Sequence, residues 1–96
     1  MAEKEVLQQH LGSMRLQLSS LDDLCDAARK CLAHTENALA EAAGNAKAHG
    51  EELGEIDRQR YALMIKEAQE NVTIALNARE QFHSKLRQME DRIARL

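Results

Sequence analysis

Apolar side chains recur along this chain at alternating spacings of three and four residues, and they do so twice. In the first half the frame runs Leu7, Leu11, Met14, Leu18, Leu21, Cys25, Ala28, Leu32, Thr35, Leu39, Ala42 and Ala46, with Thr35 its one polar member. In the second half it runs Tyr61, Ile65, Ala68, Val72, Ala75, Arg79, Phe82, Leu86, Met89, Ile93 and Leu96, with Arg79 its one charged member. A repeat held over this many heptads is the pattern of helices packed along a seam, because a 3.5-residue spacing keeps one stripe facing the partner.

Three of the four glycines fall between the two frames, in the stretch from Gly44 through Gly50 to Gly54. Glycine commonly follows a helix end, where the left-handed backbone carries no Cβ penalty. Glu51, Glu52, Glu55 and Asp57 come next, and acids suit the first turn of a helix, where the macrodipole favours negative charge. The expectation is one domain over residues 1–96, with a helix at 3–43, a turn region at 44–53 and a helix at 54–95. Each helix would run roughly 60 Å at 1.5 Å per residue.

A weaker interruption lies inside the first helix. Gly12-Ser13 costs helix stability. Ser19-Ser20-Leu21-Asp22-Asp23 has the serine-then-acid order of a helix start. These residues mark 12–20 as the place where the helix would break. The hydrophobic frame crosses both sites without slipping, which favours one continuous helix, bent there.

Two helices joined by a short glycine-rich connection pack antiparallel. With the turn near residue 49, positions whose numbers add to about 98–101 face each other. Ala68 and Ala75 then oppose Ala28 and Cys25, a waist of small side chains. Phe82, Leu86 and Met89 oppose Leu18, Leu11 and Leu7, a bulkier layer at the far end. Arg79 falls opposite Ser19–Asp22, and an unpaired charge on a seam is costly, so Asp22 or Asp23 is its expected partner.

Composition supports an all-α hairpin and excludes most alternatives. Ala, Glu, Lys, Leu and Arg supply 52 of 96 residues, with no Pro or Trp, one Phe and one Tyr. Only eight residues are β-branched, too few to furnish a sheet. No apolar run approaches the roughly 18 residues of a membrane span. The first residues show no apolar core like that of a secretory signal, so a cytoplasmic setting is expected. Cys25 and Cys31 lie six residues apart, on different sides of one helix, and cannot bridge without breaking it. Free thiols also suit a reducing compartment.

Net charge is −3, with both signs interspersed. The one basic cluster, Lys85, Arg87, Arg92 and Arg95, falls at a helix C-terminus, where cations complement the dipole. A nucleic-acid contact would need a basic stripe instead. Neither nucleic acid nor a membrane surface is expected as a partner.

More apolar surface is present than one seam uses. Leu24, Cys31 and Ala38 form a column beside the seam of the first helix, and Met64, Ala78 and Leu76 flank that of the second. Core-facing bundle helices have such a widened face, and closed two-fold dimers are the commonest oligomer. The expectation is a coiled-coil-like hairpin that dimerises into a four-helix bundle or offers the face to another protein. Leu16, Leu24, Cys31, Met64, Ile74 and Leu76 are the expected contact residues, unless they are plain bundle core.

Candidate chemistry is sparse. Glu80 and His83 have the Glu-x-x-His spacing of metal-binding bundles, but the frame puts Phe82, not His83, on the seam, and facing glutamates are lacking. Cys31 and His34 could give zinc two ligands of the four it wants. No phosphate loop and no nucleophile–base arrangement occurs, and no cofactor is expected. The sequence thus favours a non-catalytic protein-binding module: an adaptor, an assembly or secretion chaperone, or an inhibitor. A small-ligand or metal-binding bundle is the alternative.

Overall fold

The computed structural model describes residues 2–96. Two helices pack against each other as a hairpin, α1 over Glu3–Ala48 and α2 over Glu55–Ala94, with no strand among the described residues. Every frame position within α1 and α2 is buried or half-buried, and Leu96, the last position of the second frame, lies beyond α2 and is exposed. Heptad spacing therefore selected the inward stripe of both helices.

No break occurs at 12–20, and α1 passes through Gly12-Ser13 and Ser19-Ser20 without interruption. Ser20 does not cap a new helix. Its Oγ donates back to the Leu16 carbonyl at 3.3 Å, the way a serine is accommodated within a helix.

The end of α1 is displaced from the expected position. The helix continues to Ala48 rather than stopping at 43, and Gly44 lies inside it. One internal glycine costs about 1 kcal/mol relative to alanine, whereas Ala46, Lys47 and Ala48 are strong helix formers. Ala46 also remains half-buried at its frame position, so packing rewards the extra turn. Gly50 ends the helix, with φ of 71°. Its N–H donates to the Lys47 carbonyl at 3.0 Å, and the Glu51 N–H donates to the Ala46 carbonyl at 2.9 Å. These paired bonds are the Schellman closure, which satisfies two carbonyls that the helix end leaves open. The connection thus spans 49–54. Gly54 starts α2, its carbonyl accepting from the Arg58 N–H at 2.9 Å.

The packing divides into two units, one made of the chain up to Cys25 with Ala75–Leu96, the other of Asp26–Ile74. In the first, Leu11, Met14 and Leu86 form a buried cluster against which Leu18, Phe82, Met89 and Ile93 pack. This is the bulky layer expected from the register. Cys25 and Ala75 are also buried there. In the second unit the seam is thinner, with Ala68 and Thr35 buried and Leu32, Leu39, Ile65 and Val72 half-buried. Thr35 is accommodated on the seam because its hydroxyl donates to the Cys31 carbonyl at 2.9 Å. That bond satisfies the one polar group the frame buries. No large side chain among the described residues falls below 2% exposure, the consequence of two helices covering only one stripe each.

Candidate interaction surfaces

In the unit formed by Asp26–Ile74, a groove of about 370 Å³ lies where Ala38 and Ala42 of α1 meet Leu53, Tyr61 and Met64, with Asp57 and Arg60 on its edge. Small side chains on α1 make the depression: alanines at 38 and 42 leave room that a leucine would fill. Ala38, Ala42, Leu53 and Tyr61 are half-buried and form its floor. Met64 is 45% exposed beside it, and the same segment of α2 holds Leu63 at 57% and Ile56 at 74%. Neither Asp57 nor Arg60 has an ion-pair partner among the described residues. The groove is thus lined by five apolar or aromatic side chains, one acid and one base.

In the other unit, Arg79 meets Asp22, with Nε 2.5 Å from Oδ1. Asp22 rather than Asp23 is the partner, and Asp23 is exposed. Both contacting atoms are shut off from water, and the approach lacks the alignment of a hydrogen bond. The contact is therefore one of charge, between side chains that are otherwise 42% and 47% exposed. Arg79 also lines a cavity of about 510 Å³ with Leu76, Glu80, His83, Ser84 and Arg87. His83 is half-buried there, its Nδ1 shielded and without a hydrogen-bond partner among the described residues.

The six expected contact residues do not come together as one surface. Met64 joins the alanine-floored groove, and Leu76 is half-buried in the polar cavity with Arg79 and His83. Leu16 (73%), Leu24 (54%) and Ile74 (65%) are exposed, as is Cys31, and none lines either of those cavities. Ile56 and Leu63 were not among the expected contacts. They lie on the outer column of α2, away from the flanks of the seam, and their seven-residue spacing beside Met64 was the available signal.

For metal, Glu80 is exposed beside half-buried His83, while Cys31 and His34 are both exposed. Among the described residues no three His, Cys, Asp or Glu side chains gather to hold an ion. Neither pair acquires a third ligand among the described residues. Of the basic cluster, Arg92 contacts Glu3 at 3.6 Å. No helix among the described residues is long and apolar enough to cross a membrane. No family model, curated protein or solved structure matches this chain.

Proposed function

We propose that the chain is a non-catalytic protein-binding module that works by packing helix faces against helices of another polypeptide, as an adaptor, assembly chaperone or inhibitor does. The observation that carries this reading is the exposed apolar surface of α2 over residues 56–64, with Ile56 and Leu63 on its outer column and Met64 lining the groove at Ala38 and Ala42. Scattered exposed leucines are ordinary on any protein. Three large apolar side chains exposed within nine residues of one helix, one of them lining a groove, are the kind of surface an amphipathic helix recognises. Met64 adds an adaptable side chain suited to such contacts. Nothing in the charge pattern favours a nucleic acid or a membrane surface over a protein, and two free thiols fit a reducing, cytoplasmic setting.

The test is site-specific photocrosslinking of the full chain in cells, with the probe at Leu63 and, as a control, at exposed Lys30 on the outer face of α1. Discrete protein adducts at 63 and none at 30 are expected. Equal labelling at both positions, or none at either, would remove the reading.

A further inference from the structure

We propose that the cavity on α2 between Leu76 and Arg87 binds a small phosphomonoester, its phosphate held by Arg79, His83, Ser84 and Arg87 and its organic part lying toward Leu76. The site belongs to the unit that contains Ala75–Leu96 and is independent of the protein-binding reading above.

Helix geometry brings the donors together. Arg79, His83 and Arg87 follow one another at four-residue intervals, and Ser84 comes directly after His83. Successive turns therefore present two guanidinium groups, an imidazole and a hydroxyl along one side of α2. Arg87 is exposed and has no ion-pair partner among the described residues. Arg79 meets Asp22 through Nε, and Asp22 does not line the cavity. The carboxylate thus steadies the guanidinium from outside and leaves its terminal N–H groups, which no hydrogen bond engages among the described residues.

His83 adds a donor of fixed identity. Its Nδ1 is shut off from water and has no partner among the described residues. An orphaned buried N–H is rarer than an orphaned acceptor, so the neutral ring carries its proton on Nε2. That nitrogen is what the ring can offer a ligand, and it offers a donor.

Charge and size select the ligand. The lining holds two cations, an imidazole, a hydroxyl and one acid, Glu80, so donors outnumber acceptors. A carboxylate answers them with two oxygens, whereas a phosphate ester brings three strong acceptor oxygens and close to two charges. Guanidinium forks match such a group bidentately. The volume of about 510 Å³ lies within the roughly 300–1,000 Å³ of small-molecule sites, far more than a phosphate of five heavy atoms fills. Leu76 is half-buried and the lining's one apolar side chain, which suits the carbon part of an ester. Glu80 opposes the anion, and this gives the site a diagnostic response: removing its charge must tighten binding.

The experiment is titration of the full chain with inorganic phosphate and with phenyl phosphate at constant ionic strength, followed by amide NMR shifts. Shifts centred on residues 76–87 are expected, with phenyl phosphate binding about tenfold more tightly than inorganic phosphate because its ring covers Leu76. Arg87→Gln should weaken phenyl phosphate about tenfold or more, and Glu80→Gln should tighten it severalfold. Arg60→Gln, in the other unit, should change nothing. All three positions are exposed, and circular dichroism checks that each variant keeps its helices. No saturable binding of phenyl phosphate below about 10 mM would overturn the proposal, as would inorganic phosphate binding just as tightly. Arg87→Gln binding like wild type, or Arg60→Gln losing as much, would also overturn it, since attraction would then be spread over the chain. Glu80→Gln binding more weakly would do the same. None of these results bears on crosslinking at Leu63, which decides the protein-binding reading separately.

Discussion

Arg79 occupies a seam position of α2 and is held by Asp22 of α1, Nε to Oδ1 at 2.5 Å, across the register that the heptad frame sets. A charge at such a position fixes alignment, because sliding the helices by one turn would separate the pair. Its contribution to stability is a different matter. Both side chains keep more than two-fifths of their surface in water, where ion pairs contribute only about 0.2–1 kcal/mol. A double-mutant cycle of Arg79→Ala and Asp22→Ala should therefore give a coupling below about 1 kcal/mol, shrinking as salt is raised. The parallel cycle with Asp23→Ala should give none. Arg79→Leu should raise the thermal midpoint, since the seam gains an apolar member and the half-exposed Asp22 can hydrate. Zero coupling to Asp22 at low salt would show that the contact does not form in solution.

The two central glycines should respond in opposite directions to alanine. Gly50 is at φ of 71°, where a Cβ is strained, and it carries the Schellman closure. Gly50→Ala should destabilise by about 1 kcal/mol. Gly44 lies inside α1, with open space where a Cβ would go. Gly44→Ala should stabilise by about 0.5–1 kcal/mol, through helix propensity and a less flexible unfolded chain. Denaturant midpoints of the two variants test this, and Gly44→Ala below wild type would mean that α1 ends earlier than Ala48.

These cases show which parts of the structure were legible in the sequence. Seam residues from Leu7 to Ala46 and from Tyr61 to Ile93 were readable because burial follows a fixed period, and one exception, Arg79, even indicated its partner. The end of α1 was not readable from glycine alone. Gly44 and Gly50 are equally plausible terminators in isolation, and the choice was made by Ala46 packing on the seam. Surface function was less legible still. Met64 borders the groove, but Ile56 and Leu63 lie outside the columns that flank the seam, and periodicity ranks only positions near the core. The groove itself depends on what α1 lacks at Ala38 and Ala42, and absent volume leaves no apolar signal in a sequence.

Thr35 gives a prediction about polarity on the seam. It is 8% exposed, and its hydroxyl is satisfied by the Cys31 carbonyl within its own turn. Replacing it with valine removes a donor whose acceptor, an in-helix carbonyl, still accepts the backbone bond, so nothing buried is left unpaired. Thr35→Val should be neutral or stabilising by up to about 1 kcal/mol, while Thr35→Ala should lose about 1 kcal/mol through lost packing. Thermal melts of the pair would expose an error here: valine falling below alanine would mean that the hydroxyl holds more than its own turn.

The two cysteines report on opening of the seam. Cys31 is exposed, whereas Cys25 is 3% exposed in the unit whose core is Leu11, Met14 and Leu86. A thiol reagent should therefore label one equivalent at once and the second at least about tenfold more slowly, because Cys25 must wait for its helices to part. Leu86→Ala should accelerate only the slow phase. Leu86 is 5% exposed, and truncating a buried leucine costs about 2–5 kcal/mol, which lowers the free energy of opening by a similar amount. Leu16→Ala, at a position 73% exposed, should leave both phases unchanged. Two fast equivalents in the wild-type chain would show that the seam does not protect Cys25. A fast phase that also accelerated in Leu86→Ala would show that Cys31 is not freely exposed in solution.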